Sequence, residues 1–419
     1  MSPDAAARAV EAARVAPYPS DMATLETDIL IAGGGIAGLA AAARFSAAGQ
    51  RAIVVDPAPE TSGGGDDLRT TAFLQPSVRT LEQAGAWAAM APDAAPLTTM
   101  RLVDAGGRDR VPREQADFVA SEMKTGAFGW NVPNKSARAA LRDRLAALDT
   151  TSLIPGTRVV DVISRSSEGM ARLSDGRWVH AKLIVAADGR DSYVRDRAGI
   201  KRRRWHYGQK ALVFPITHEV PHESVSTEIH RTGGPLTLVP MPNRDGSSCS
   251  AVVWMVPAQR AHVLAELDDA ALATELTAET MGLFGALTIV GDRACWPIIG
   301  QVADRLVSGR VALVAEAAHV VPPIGAQGLN MSLGDIECLA QLVESAGNQD
   351  IGAPVLLARY EARRMPEILG RVAGVHVLNR FAQAEPQPIR DLRLLGLRTI
   401  SRVAPIRQLA MRLGLGAAG

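Results

Sequence analysis

Residues 28–32, Asp-Ile-Leu-Ile-Ala, form a short apolar run that ends in three glycines, Gly33 to Gly35. An unbroken apolar run of this length reads as a parallel strand covered on both faces. An alanine-rich stretch, residues 36–48, predicts a helix that stops at Gly49, where a left-handed residue suits a helix end. Residues 52–55, Ala-Ile-Val-Val, predict the next strand, which completes a βαβ unit. Two more apolar strands are expected at 183–187, stopping at Asp188-Gly189, and at 311–314, leading through a proline- and glycine-rich loop into a helix from about Asn330. Between them, alternation at 224–229 and 249–256 suits an antiparallel sheet with one exposed face. The expected fold class is therefore α/β: a discontinuous Rossmann-type domain into which an antiparallel sheet is inserted, followed by a helical C-terminal region.

At 419 residues the chain exceeds what one hydrophobic core supports. A formal net charge of +1 gives no reason to expect a nucleic-acid partner. Cys249, Cys295 and Cys338 match neither a disulfide framework nor metal-ligand spacing. Each reads as a small buried apolar residue in a reducing compartment, and no metal site is expected. No stretch reaches the roughly 20 apolar residues of a membrane span, so the expected protein is soluble or peripheral: cytoplasmic, on the face of the inner membrane. Residues 1–26 read as a disordered extension, or as sequence ahead of a start at Met22. Arg8 and Arg14 resemble a targeting peptide, but Asp4, Glu11, Asp21 and Glu26 argue against one.

Three motifs carry chemistry. Gly33, Gly35 and Gly38 form a GxGxxG turn between strand and helix, and Asp56 ends the following strand. The glycines allow a tight turn, close approach of backbone to a pyrophosphate and close helix packing; Ile36 and Ala37 open the helix whose N-terminus faces the negative charge. Asp56 stands where a carboxylate would hold a ribose hydroxyl. FAD and NAD both use this fingerprint. The second motif is Asp188-Gly-Arg-Asp-Ser192-Tyr-Val-Arg195. The third runs from Arg310 through Ala315-Glu316-Ala317-Ala318-His319 to Gly325-Ala326-Gln327-Gly328-Leu329-Asn330.

Residues 188–195 resemble the DGxxSxxR segment of the aromatic-hydroxylase class of FAD monooxygenases, a turn that lies near the flavin pyrophosphate. The third motif is similar to that family's GDAAH segment and the loop after it. The resemblance implies that Glu316 holds the ribityl chain and that backbone groups of the loop 325–330 face the flavin pyrimidine edge, where a helix N-terminus favours the charge of reduced flavin. Two departures stand out: Ala315-Glu316 replaces Gly-Asp, and Gly325-Ala326 inverts Ala-Gly. His319, flanked by apolar residues, reads as structural rather than as a base. Taken with residues 68–87, including Arg69, with 134–141, including Arg138, and with Gly234-Pro235-Leu236, the motifs resemble the UbiH-like hydroxylases of ubiquinone biosynthesis over residues 27 to 415.

That resemblance implies contacts of Arg69 and Arg138 with the cofactor, and of Pro235 and Leu236 with the substrate. It places the FAD-binding domain at 27–98, 128–201 and 297–350, the substrate domain at 99–127 and 202–296, and a helical region at 351–419. It also implies FAD, dioxygen, and NAD(P)H or a ferredoxin-type donor. The implied reaction is hydroxylation of a polyprenylated phenol through a flavin hydroperoxide. His206 and Tyr207 could serve as a base, and no catalytic residue is assigned. Two alternatives stay open: an FAD hydroxylase of a small soluble aromatic, and a catalytically weak FAD scaffold of a quinone-synthesis complex. Six arginines between 390 and 412, interleaved with leucine, isoleucine and valine, form a basic amphipathic tail that could meet a membrane surface or cover the protein's own core. Pro405 breaks it.

Overall fold

The computed structural model of the protein describes residues 24–59, 67–107 and 111–415. Five strands of its first, eight-stranded sheet pair in parallel, as expected. The strand Thr24–Ala32 lies at its centre, with Ala52–Asp56 and then Thr151–Pro155 on one side and Trp178–Ala186 and then Val311–Leu313 on the other. Ile29, Leu30 and Ile31 are fully buried, which explains why this strand carries no polar alternation. The expected extension 1–26 needs correction at its end, because Thr24–Glu26 pair with Trp178–His180. Residues 1–23 lie outside the described residues.

The second sheet is larger, with nine strands. Its long strands Arg202–His218, Pro235–Arg244, Ser247–Pro257 and Ala294–Ala303 pair antiparallel. The expectation of a purely antiparallel sheet is corrected by one parallel pair, Val225–His230 beside Thr99–Asp104. The expected exposed face is also corrected. Helices Ala258–Glu266 and Asp269–Glu279 cover one side through a core of Leu212, Phe214, Leu236 and Trp254. The other side meets Ile324 and Val375. A third, small sheet joins Thr70–Leu74, Gly129–Pro133 and Ala95–Leu97.

The chain closes with three helices, Pro354–Gln383, Gln387–Arg402 and Ala404–Leu415. Pro405 sits in the first turn of the last one, where its missing N–H costs nothing, so the break falls where the sequence places it. Of the two roles open to the basic tail, Arg393, Arg398, Arg402 and Arg407 take the inward one. Asp104, 1% exposed, receives both Arg113 at 2.7 Å and Arg393 at 2.9 Å. Cys249 is buried as expected, whereas Cys295 is exposed and corrects that reading; Cys338 is half-buried.

Burial alone would raise the Asp104 pKa, but hydrogen bonds and charge from Arg113 and Arg393 hold it below the ordinary 3.8. Arg393 is itself pulled down by burial and by its neighbours Arg113 and Arg390, so the stabilising sign is taken from the carboxylate. A lowered folded-state value gives stability that is complete above pH 3.8 and is lost as pH falls through the folded value. Asp104→Asn should therefore cost about 3 kcal/mol at neutral pH, because it leaves buried arginine charge unpaired. The difference should shrink in acid, and urea unfolding at both pH values measures it.

Candidate functional site

The glycine turn sits where the central strand's neighbours diverge, at the carboxyl end of a parallel sheet, the usual ligand position of such folds. Gly33 has φ +105°, and a Cβ there would stand 2.3 Å from the Ala187 carbonyl oxygen. A Cβ on Gly38 would stand 1.8 Å from the Gly33 oxygen. Both positions therefore require glycine for packing. Gly35 differs: a Cβ added there would meet nothing within 4 Å. Gly35 also caps the helix Ile36–Ala47 without any side-chain bond, which leaves the first N–H groups of Ile36 and Ala37 without a side-chain acceptor. Asp56 accepts from the Gly34 and Ala58 N–H groups, one on each oxygen, and each oxygen keeps a lone pair for a further donor.

Around this turn, residues 188–195 act as a brace. Asp188 accepts from Ser192 Oγ and from the Val194 N–H at 3.0 Å, and Ser192 caps the short helix Tyr193–Arg197. Burial raises the Asp188 pKa. Arg195, fully buried, donates to the carbonyls of Arg190 at 3.2 Å and Ala317 at 3.1 Å. Glu316 is half-exposed and stands 3.4 Å from Arg190 Nε. Behind it, buried Asp335 accepts from the Ala315 N–H at 3.1 Å and pairs with His319 at 2.7 Å and Arg364 at 2.9 Å. Burial would push Asp335 up, yet His319 and Arg364 hold it low. His319 is thus structural, as its apolar flanks indicate.

The loop after it ends in two left-handed residues, Gly325 at φ +61° and Ala326 at φ +56°. Ala326 caps the helix Gln327–Ala346 with no side-chain bond, so the N–H groups of Gln327, Gly328 and Leu329 form a second free helix N-terminus. Gln327 accepts from Arg371 at 2.5 Å and donates to the Gly414 carbonyl at 3.1 Å. Asn330 donates to the carbonyls of Ala72 and Ala326 and accepts from the Leu74 N–H, so its side chain fixes the loop to the small sheet.

A third group closes the cleft between the two larger sheets. Asp67 receives Arg69 through two bonds of 2.7 and 2.9 Å, Asn134 at 3.2 Å, and Arg138 at 3.9 Å. Asp67 is held below its usual pKa by Arg69 and Asn134 despite burial. Arg69 also lies over the Trp296 ring at 5.3 Å, which ties the parallel-sheet side to the second sheet. The Nε of Arg138 is buried and makes no hydrogen bond.

A profile of FAD-binding domains matches residues 26–371. The chain belongs to the FAD-binding-domain family. Ubiquinone hydroxylase UbiL of Rhodospirillum rubrum is 34% identical over 394 residues, 93% of this chain and 89% of the relative. The 3-demethoxyubiquinol 3-hydroxylase of Escherichia coli is 27% identical over 404 residues, 94% of this chain and 100% of the relative. Among solved structures, HpxO of Klebsiella pneumoniae complexed with FAD has a TM-score of 0.74 at 20% identity, covering 94% of this chain and 99% of its own. The p-nitrophenol 4-monooxygenase PnpA of Pseudomonas putida also reaches 0.74, at 16% identity over 93% and 97% of the two chains. Kinship with the UbiH-like hydroxylases thus runs along nearly the whole chain, and FAD is the cofactor of this FAD-binding family member.

The residues present fit FAD. Gly35 leaves open the space a Cβ would fill, two helix N-termini stand uncapped, and Arg138 keeps an unpartnered buried donor. Leu236 requires a correction. Successive strand residues point to opposite faces, and Leu236 lies in the outer core with Leu212 and Trp254. Pro235 and Thr237 share the inner face with Val253, Met255 and Tyr207. Tyr207 does not stand free, because its hydroxyl bonds His376 Nδ1 at 2.9 Å; His206 is exposed. The sequence reading missed Asp67, Trp296 and Asp335. Only Asp67 carried a local signal, an acid two residues before Arg69 with which it pairs.

Ala315 and Ala326, the two departures from the family pattern, both adopt φ near +57° and so keep the backbone shape that glycine gives. An L-residue with a Cβ is strained there. Ala315→Gly and Ala326→Gly should each raise stability by about 1 kcal/mol, read as a higher melting temperature. No gain from either change would show that the loop is unstrained.

Proposed function

We propose that the protein hydroxylates the aromatic ring of a polyprenylated phenol, a precursor of ubiquinone, in an FAD-dependent reaction. What carries this reading is full-length kinship with ubiquinone hydroxylases, combined with a cleft whose two walls are an FAD-type turn and the apolar inner face of the second sheet. The overall change consumes the phenol, dioxygen, NAD(P)H and a proton, and yields the ring C–OH, NAD(P)+ and water. A ferredoxin-type protein could supply the two electrons instead. Bound FAD supplies the electron transfer and oxygen activation.

In this reading the FAD-binding domain comprises 27–98, 128–201 and 297–350, and 99–127 with 202–296 form the substrate domain. Gly35, Ile36 and Ala37 present backbone to the pyrophosphate, Gly33 and Gly38 make the close packing that shapes their turn, and Asp56 accepts from a ribose hydroxyl. Arg69 and Arg138 add positive charge, and the turn at Asp188 braces the site. Glu316 receives the ribityl chain. Gly325, Ala326, Gln327, Gly328 and Leu329 line the flavin's pyrimidine edge through their N–H groups, and the Asn330 side chain holds their loop in place. Pro235, Thr237 and Val253 face the ring to be hydroxylated and keep water out. The prenyl tail makes a peripheral position on a membrane natural; no helix among the described residues is long and apolar enough to cross one.

The purified protein should show flavin absorbance, and anaerobic NADH or NADPH should bleach it faster when a prenylphenol is present. A colourless protein, or bleaching indifferent to every phenol, would overturn the reading. Gly35→Glu should fold normally, because its Cβ meets nothing, yet lose FAD through repulsion of the pyrophosphate. Retention of flavin by that variant would place the cofactor elsewhere.

A further inference from the structure

The C-terminal helices arrange their side chains in the reverse of an ordinary surface helix. Four of their arginines reach back to acids on the body of the protein. Arg398 and Arg402 pair with Glu114 at 2.8 and 2.9 Å, Arg393 pairs with Asp104, and Arg407 pairs with Glu122 and lies 4.6 Å over the Phe118 ring. Leu397, Ile400 and Met411 pack beside them against Phe118 and Phe128. Large apolar residues stand on the outward side: Leu378, Leu392, Leu395 and Leu409 are 55 to 59% exposed, and Phe381 and Ile406 are 37 and 40% exposed. Leu392 and Leu395, and again Ile406 and Leu409, stand three residues apart and so share one face of each helix. Nine of the seventeen large exposed hydrophobics of the described chain fall between residues 377 and 409, which makes this a patch rather than scatter.

Charge selects the occupant. Arg380 and Arg412, both exposed, form no ion pair among the described residues, whereas Asp391 is already paired with Arg113. Only Glu385 remains as an unpaired acid on this stretch. A two-fold dimer through the patch would set the same cations against each other with almost no acid to meet them. An anionic bilayer offers an apolar layer for the leucines and negative headgroups for the arginines. The patch also ends at the flavin loop, because the carbonyl of Gly414 accepts from Gln327.

We infer that this outward apolar face docks the protein on an anionic lipid bilayer and brings the cleft beside the layer that holds the substrate's tail; this rests on the prenylated-phenol reading above. The test uses full-length holoenzyme and vesicles of phosphatidylcholine with an equal share of phosphatidylglycerol. Wild type should co-sediment with the mixed vesicles and only weakly with pure phosphatidylcholine. The triple variant Leu392→Glu, Leu395→Glu, Leu409→Glu should bind on the order of tenfold more weakly or worse, while its flavin absorbance and its turnover of a soluble, tail-less phenol stay as in wild type. As a folded reporter, the single variant Leu395→Trp should gain emission that brominated lipid quenches. Unquenched emission, equal binding by the triple variant, or no vesicle binding by wild type overturns docking. So does a wild-type dimer that the triple variant splits, since a second copy would then be the occupant. Vesicle binding without turnover of any phenol would sink the substrate reading and leave the docking face standing.

Discussion

The architecture depends on one close approach of backbone to backbone at the carboxyl end of the central strand. Gly33 lies against the Ala187 carbonyl, and Gly38 lies against Gly33. These contacts bring the helix Ile36–Ala47 down onto the sheet and draw the strand Trp178–Ala186 alongside, so the turn at 188–189 ends beside the glycine turn. Any side chain at Gly33 or Gly38 would force them apart. The open space at Gly35 follows from the same geometry, since two of the three glycines are spent on packing and the remaining one faces outward.

From that point, polar bonds carry position outward to residues distant in sequence. Arg195 ties the second motif to the third through Ala317, and Gln301 reaches both Arg190 and Glu316 carbonyls from the second sheet. Asp335 then fixes Ala315 from behind. These donors and acceptors are buried, so leaving one unpaired would cost about 1–3 kcal/mol, which favours a single arrangement of the cleft walls. The arginine corner completes the enclosure, because Asp67 orients Arg69 against Trp296 on the opposite sheet.

Much of this was legible in the sequence. The glycine turn, Asp56 and the strand ends at 188 and 314 declare themselves because a buried parallel strand followed by glycines has few other uses. The second sheet was less legible. Residues 249–256 look alternating, yet helices cover one face and Val321, Ile324 and Val375 the other, so alternation did not mark exposure. Leu236 was misassigned for a related reason: a motif names a strand, but only register shows which alternate residue faces the cleft. Asp335 left no signal, since nothing in spacing connects it to His319, sixteen residues earlier. The C-terminal arginines were read only as an outward-facing or core-covering alternative, because composition cannot show that acids on a distant strand wait for them.

The two departures from the family pattern show what the loops demand. If the glycines usual at these positions served mainly to make room, alanine would clash; instead Ala315 is 5% exposed and fits its pocket. What the sites require is a left-handed backbone, and alanine can adopt it at a cost of about 1–2 kcal/mol. That cost is sustained because neighbours hold both residues: Asp335 accepts from the Ala315 N–H, and Asn330 donates to the Ala326 carbonyl. The loop geometry is therefore specified by buried partners on the helix Gln327–Ala346, and the identity of the left-handed residue tunes its stability more than its shape. A carboxylate with one more methylene at Glu316 fits the same logic, since its anchor at Arg190 belongs to a turn that Arg195 and Gln301 already hold in place.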